Sequence, residues 1–291
     1  MFSGFLFGTL SSNCQYNAYM VDQLTANEVV LLSEVVAPGT VIRMGGEEYE
    51  HSDYDVSRVL DFVALIDGRV SYMAGDHNPV TKYGEFGDYA LSEVTYRNEQ
   101  WNDIETWSWI RRDFWTYLFN RQTYYRKHAD RHVREADSYL GEMLDAGHDV
   151  TLIINVPLPQ NKYLSAYLDQ IATHQSIDKV SIHVYGKWLE ADYLDKLDFW
   201  LDTVTGYGWE VMVGEMSGLF NHKEGRELKN SDTHKTMHNE IMAKLYKYDI
   251  TEVYFFTLCA SAESLKWTNP PIYHRYQLGD IVTDELSNIF E

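Results

Sequence analysis

The sequence predicts an α/β protein folded as a single (β/α)8 TIM barrel, on three observations. Eight short apolar runs recur along the 291 residues, stretches with helical periodicity separate most of them, and no glycine-rich turn follows the first run. Alternation of strand and helix indicates a parallel sheet, and eight such units close most naturally into a barrel. An open doubly wound sheet is the alternative, but the turn Gly8–Ser12 lacks the dinucleotide-binding fingerprint. We therefore predict one domain over residues 1–291.

The predicted strands are runs of apolar, β-branched and aromatic residues that end in Gly, Asn, Pro or a polar cluster. In chain order they are Phe2–Gly8, Thr40–Met44, Val70–Ala74, Val94–Asn98, Val150–Val156, Lys179–Val184, Glu210–Gly214 and Glu252–Leu258. In a barrel of this kind the reaction takes place at the carboxyl ends of the strands. The residues that end each run are therefore the candidates for function.

Helical periodicity accounts for most of the connections. The predicted helices are Val21–Val36, Asp55–Ile66, Thr123–Ala146, Tyr163–His174, Ala191–Val204, Thr233–Tyr248 and Asp280–Phe290. Only Gly84–Ser92 separates strands three and four, so this connection must be short or irregular. The longest insertion, Gln100–Gln122, is predicted to be an active-face loop with some helix. Its aromatic run from Trp107 to Phe119 is expected to form a small satellite core, with sugar-stacking platforms as the alternative.

Charge and composition limit the partners. A net charge of −20 argues against nucleic acid and anionic membranes. No apolar run approaches the ~18 residues of a membrane span, and no Lys or Arg precedes Arg43, as a secretory signal would require. We therefore expect a cytoplasmic or virion-associated protein. With two cysteines and no metal-binding motif, no metal and no cofactor are predicted. The sequence does not indicate an oligomeric state.

Two glutamates, Glu99 and Glu215, stand at the ends of the fourth and seventh predicted strands. Paired carboxylates on one face of a barrel are the minimum equipment for cleaving a glycosidic bond. Other polar residues end neighbouring strands, with Arg43 on strand two and His183 and Tyr185 on strand six. Together they predict one polar site at the carboxyl face.

The order of these motifs resembles clan A of the retaining glycoside hydrolases. Members of that clan are (β/α)8 barrels in which an Asn-Glu pair ends strand four and a nucleophilic Glu ends strand seven. The segments Val41–Gly46, Val180–Tyr185 and Trp209–Glu215 are similar to its strands two, six and seven. The resemblance implies a retaining β-glycosidase that hydrolyses an oligo- or polysaccharide, with Glu99 as acid/base and Glu215 as nucleophile.

The resemblance also implies roles for the surrounding residues. Asn98 would donate a hydrogen bond to the sugar 2-hydroxyl, and Arg43 would favour the ionised form of Glu215. Either His183 or Tyr185 would hydrogen-bond the nucleophile, and the resemblance does not decide which. Exposed tryptophans are candidates for stacking on sugar faces, namely Trp101, Trp188 and Trp267.

Two departures from the pattern leave alternatives open. Gln100 replaces the Pro that usually follows the acid/base Glu. Strand eight lacks the Trp that often lines the base of the sugar-binding site, and Trp267 on the following loop could take its place. In another register Asn155 would end strand four, with Val156 where the Glu belongs. That register would make the barrel catalytically inactive. Independently of the register, the alternative function is a non-catalytic carbohydrate-binding or structural barrel, such as a virion component, in which the pocket survives without turnover. We prefer the register with Glu99 because it alone gives eight strands.

Overall fold

A closed barrel of eight parallel strands forms the centre of the protein. The computed structural model describes residues 14–17, 21, 25–34, 36, 38–45, 56–74, 91–97, 100–187, 190–217, 232–255, 259–260 and 273–274. The barrel strands are β1 Cys14–Asn17, β2 Val41–Gly45, β3 Arg69–Met73, β4 Leu91–Tyr96, β5 Thr151–Asn155, β6 Lys179–Tyr185, β7 Glu210–Ser217 and β8 Val253–Phe255. Each strand pairs with the next, and β8 pairs with β1, which closes the barrel. The predicted fold class is confirmed.

Helices connect the strands around the outside. Those described are α1 Ala26–Ser33, α2 Val56–Leu65, α3 Gln100–Asp103, α4 Trp107–Ile110, α5 Phe114–Phe119, α6 Arg121–Asp145, α7 Lys162–Ile171, α8 Tyr193–Thr205 and α9 Asp232–Lys247. Six of them match predicted helices. The other three, with a 3-10 turn at Arg111–Asp113, confirm that the insertion after β4 is partly helical. The predicted helix Asp280–Phe290 lies outside the described residues, as does most of the third connection (residues 84–90).

The first strand was predicted in the wrong place. It is Cys14–Asn17 rather than Phe2–Gly8, and residues 2–8 lie outside those described. A barrel strand is selected by pairing on both sides rather than by apolar content, and Tyr16 pairs with Ile42 of β2 and Phe255 of β8. A second feature that the sequence did not indicate is a two-stranded parallel sheet of β9 Cys259–Ala260 and β10 Tyr273–His274.

Side-chain caps determine where the helices α6 and α7 begin, and apolar stripes determine which face of each helix is buried. The Asn120 side chain accepts a hydrogen bond from the Thr123 amide at the start of α6, and the Asn161 side chain accepts two at the start of α7. Such caps satisfy backbone N–H groups that have no partner inside the helix. Each helix buries one face against the main core. The insertion between β4 and α6 therefore ends at a helix that is packed against the core.

The barrel interior contains its own packed layer of Val41, Ile153, Met212 and Tyr254, which come from four different strands. A layer of this kind makes a barrel a solid core rather than a pore. Among the residues that the structure describes, no helix combines the length and the apolar character needed to cross a bilayer.

A buried ion cluster occupies the amino ends of the strands. Lys179 Nζ lies 3.2 Å from Glu93, 2.5 Å from Glu252 and 3.2 Å from Glu210. The Tyr254 hydroxyl donates to Glu93 at 2.8 Å. Burial alone would raise the pKa of Glu93, but Lys179 and the hydroxyl donors hold that pKa below its ordinary value. Because this cluster is at the end opposite the reaction face, we assign it to stability.

Candidate active site

A bulge in β7 positions Glu215. Ile182 of β6 pairs with Val213, and the next residue, His183, pairs with Glu215, so Gly214 is the extra residue. A bulge bends its strand and redirects the side chains beside it. Strand seven was predicted to end at Gly214 but continues to Ser217, so Glu215 lies within the strand rather than after it. Glu215 directly follows the bulge, and the residue is only 7% exposed.

Three of the predicted site residues converge on the Glu215 carboxylate. The Tyr185 hydroxyl donates a short hydrogen bond to Oε2, and His183 Nδ1 lies 3.5 Å from the same oxygen. Arg43 Nη1 lies 3.8 Å from Oε1. The structure thus gives Tyr185 the hydrogen bond, while His183 is placed at ion-pair distance. With contacts on both oxygens, the plane of the carboxylate is fixed.

Arg43 is a buried cation beneath the carboxylate. It is 0% exposed, its Nη1 donates to the Gly214 carbonyl at 2.7 Å, and its Nη2 approaches Met73 Sδ at 3.0 Å. Burial lowers the pKa of Arg43, and the charge of Glu215 opposes that effect. Since an arginine stays protonated in proteins, it presents a fixed positive charge to Glu215.

Gly214 makes room for that cation. A Cβ at this position would lie 2.9 Å from both Cζ and Nη1 of Arg43, and 2.3 Å from the Ser181 Oγ. These distances are shorter than ordinary van der Waals contacts between heavy atoms. Glycine is therefore required by the guanidinium that packs against its backbone.

The end of β4 turns sharply before the predicted acid/base pair. Arg97 has a positive φ of 56°, which is uncommon for a residue with a side chain. The Asn155 side chain donates to the Arg97 carbonyl at 2.7 Å and helps to hold this turn. The alternative register is wrong, because Asn155 lies in β5 and not at the end of strand four. Asn98 and Glu99 follow the turn in the chain but lie outside the described residues.

A cavity of about 650 Å³ is lined by Trp101 and by His183 and Tyr185, the two residues that contact Glu215 Oε2. Trp101, on α3, presents its ring edge-on to the His183 ring at 6.1 Å. The structure therefore places Trp101 in the same site as the residues around Glu215. Trp188 and Trp267, the other predicted sugar-stacking residues, lie outside the described residues.

Sequence reasoning missed the polar network in the far wall of this cavity. Glu105 accepts hydrogen bonds from Arg121 Nη2 at 2.6 and 2.7 Å, from the Tyr117 hydroxyl at 3.0 Å and from the Tyr125 hydroxyl. The Arg121 guanidinium also stacks over the Tyr117 and Tyr163 rings. Burial alone would raise the pKa of Glu105, but these donors hold it below the ordinary value. Glu105 is thus an ionised, fully engaged carboxylate. In the sequence, the position of Glu105 within an aromatic insertion was the only indication that it belongs to the site.

The expectation that the protein binds no metal stays a prediction. Within the described ranges, no group of three or more His, Cys, Asp or Glu side chains is placed to hold an ion.

The comparisons with known proteins bear on the fold. No protein-family model and no curated protein matches the chain. An exo-β-1,3-glucanase of family GH128 from Cryptococcus neoformans superimposes with a TM-score of 0.56 at 11% identity, covering 96% of this chain and 98% of that one. A GH26 endo-β-1,4-mannanase domain from a Bacillus species gives 0.55 at 13% identity, covering 98% and 86%.

A GH128 endo-β-1,3-glucanase from Pseudomonas viridiflava gives a TM-score of 0.50 at 14% identity, covering 88% of this chain and 90% of that one. At such low identity the likeness concerns the fold alone. The predicted resemblance is confirmed at that level, because these solved structures are glycoside hydrolases of clan A. The chain has the fold of the TIM-barrel glycoside hydrolases.

Proposed function

We propose that the protein is a retaining β-glycosidase that hydrolyses an oligo- or polysaccharide, with Glu215 as nucleophile and Glu99 as acid/base. The observation that carries the proposal is the Glu215 carboxylate, which is 7% exposed and contacts Tyr185, His183 and Arg43 near the carboxyl end of β7. A nucleophilic carboxylate must be ionised, oriented and shielded from water. Tyr185 and His183 orient the Glu215 carboxylate, the Arg43 guanidinium lies 3.8 Å from it, and burial excludes most of the surrounding water.

The reaction would proceed in two displacements. Glu215 attacks the anomeric carbon while Glu99 protonates the departing glycosidic oxygen, which gives a covalent glycosyl-enzyme. Glu99, now ionised, deprotonates a water that attacks the same carbon and releases Glu215 with net retention. The two carboxyl groups must be ~5 to 5.5 Å apart for this route. Two barrel strands lie between β4 and β7.

The other predicted residues would bind and orient the sugar. Asn98 would donate to the 2-hydroxyl, a hydrogen bond that strengthens in the oxocarbenium-like transition state. Trp101 lines the cavity and is the first candidate for ring stacking, and Trp267 remains a proposed second one. Because the neighbours in the fold are named as β-1,3-glucanases and a β-1,4-mannanase, β-glucans and β-mannans are the first substrates to test.

The first experiment removes the nucleophile. We expect Glu215→Gln to lower kcat on an aryl β-glycoside by about 10⁴-fold or more, because the change keeps the shape and removes the attacking charge. Glu142→Gln, at an exposed position of α6, is the matched control and should leave kcat unchanged. A Glu215→Gln enzyme with a tenth of the wild-type rate would show that another residue attacks.

The second experiment tests Glu99. Glu99→Ala should impair substrates with poor leaving groups far more than activated aryl glycosides, which depart without a proton. Azide, which needs no base, should restore turnover and give a β-glycosyl azide. Equal losses on both substrate classes without rescue would assign Glu99 to structure and favour a non-catalytic barrel.

A further inference from the structure

An exposed aromatic surface lies on the insertion after β4. Trp107, Trp115 and Phe119 are 66%, 68% and 76% exposed, and Phe114 and Leu118 beside them are also exposed. The expectation that this run forms a satellite core is therefore wrong for these residues. They lie on the short helices α4 and α5, in which Ile110 is the one buried residue, so these side chains are left in solvent. We call these five residues the aromatic face.

The rings of the aromatic face contact one another. Phe114 meets Trp107 edge-on at 6.2 Å and Trp115 edge-on at 5.4 Å. Trp115 and Phe119 are stacked at 5.6 Å with their planes 5° apart. Single exposed apolar residues are common, but a contiguous exposed cluster marks a binding surface. The mutual contacts also restrict ring rotation, so less entropy is lost when a ligand binds.

The charge around the aromatic face is opposite to that of the whole protein. Residues 107–129 contain five Lys and Arg and a single acid, Asp113, in a chain of net charge −20. Asp113 is already engaged by Lys127 at 2.6 Å and by Thr116 at 2.6 Å. Arg111, Arg112 and Arg126 are exposed. Arg121 and Lys127 are paired with Glu105 and Asp113, so the excess positive charge of this segment comes from the other three arginines, which favour an anionic ligand.

We propose that the aromatic face, with Arg111 and Arg112 in the turn between its two helices, binds an acidic polysaccharide chain that carries carboxylate or sulfate groups. Aromatic rings stack on the C–H faces of sugar rings, and guanidinium groups pair with carboxylate or sulfate oxygens through two parallel hydrogen bonds. A neutral glycan would not need the arginines. Repulsion by the rest of the protein would confine such a polymer to this surface.

The aromatic face and the cavity are linked through one helix. Arg121 lines the cavity and stacks over Tyr117, which lies on the same helix as Trp115 and Phe119. The choice of a polysaccharide over other anionic polymers rests on the proposed function.

Affinity electrophoresis tests the proposal. Native gels would contain carboxymethylcellulose or alginate as acidic polymers, or hydroxyethylcellulose as the neutral one, and migration would be compared with a polymer-free gel. We expect the acidic polymers to retard the wild type. The double variant Trp115→Ala/Phe119→Ala should weaken retardation about tenfold or more, since ring stacking on this scale corresponds to one or more factors of ten. Arg111→Gln/Arg112→Gln should weaken it as well.

Matched controls lie elsewhere on the barrel. Phe199→Ala removes a ring that is 65% exposed on α8, and Arg69→Gln removes an exposed cation at the amino end of β3. Both should be retarded like the wild type. Glu215→Gln should also be retarded normally, so failure of the proposed catalysis and failure of this surface give different results.

Four results would overturn the inference. These are equal retardation by neutral and acidic polymers, no retardation by either acidic polymer, unchanged retardation after loss of both rings, or retardation lost equally in the controls. Binding of phosphatidylserine vesicles or single-stranded DNA through Trp115 and Phe119, without polymer retardation, would assign the surface to those partners instead. Ring-dependent self-association in sedimentation, again without retardation, would assign it to a second copy of the chain.

Discussion

Gly214→Ala is the sharpest test of how the site is built. The added methyl carbon would lie 2.9 Å from two atoms of the Arg43 guanidinium and 2.3 Å from the Ser181 Oγ. The serine hydroxyl can rotate away, but the guanidinium is fully buried and is tied to the Gly214 carbonyl and Met73. Arg43 must therefore move by about 0.5–1 Å to reach ordinary contact distance.

The expected effect has a stability part and an activity part. Overpacking of a closed interior costs about 1–3 kcal/mol of unfolding free energy. For a chain of this size that corresponds to a fall in Tm of about 2–6 °C. Because Arg43 contacts Glu215, a shift of this size should also lower kcat by about 100-fold on a verified substrate.

Urea unfolding and thermal melts measure the first part, and turnover of an aryl β-glycoside measures the second. Gly141→Ala is the control, because a Cβ at this position, near the C-terminal end of α6, would have nothing within 4 Å. That change should stabilise the protein slightly, since alanine favours helix over glycine. Ser181→Ala added to Gly214→Ala should recover only part of the stability. A Gly214→Ala protein with wild-type Tm and kcat, or full recovery by Ser181→Ala, would refute the argument that glycine is required by Arg43.

Two further predictions concern single residues, Tyr185 and His132. Tyr185→Phe should lower kcat about 10- to 100-fold, because the hydroxyl that orients Glu215 is lost. It should also lower Tm by up to about 6 °C, because a hydrogen bond to a charged group contributes about 1.5–3 kcal/mol to stability. An unchanged kcat would remove Tyr185 from the orientation of Glu215. Burial lowers the pKa of His132 to about 4, from an ordinary value of 6.5. The unfolded chain thus binds a proton that the folded one does not, so stability is complete above pH 6.5 and is lost as the pH falls towards 4. Urea titrations should show a shallower loss over this window in His132→Gln, and equal slopes would contradict the assignment.

Several features followed from the sequence because they depend on local pattern. The alternation of apolar runs with helical periodicity predicted the barrel, and seven of its eight strands lie where the runs were placed. Caps and stripes are local too, so α6 and α7 begin within two residues of their predicted starts. Arg43, His183, Tyr185 and Glu215 were found for a related reason: side chains near the carboxyl ends of barrel strands meet at one face.

What the sequence left open depended on contacts between distant segments. The first strand was predicted at residues 2–8 but is Cys14–Asn17, since only pairing with β2 and β8 identifies it. The bulge at Gly214 and the buried guanidinium against it bring together β2, β6 and β7, which no periodicity links. Burial is likewise a tertiary property. The same aromatic composition places Tyr124 in the core and leaves Trp115 in solvent, because packing against the barrel decides which side of each helix is covered.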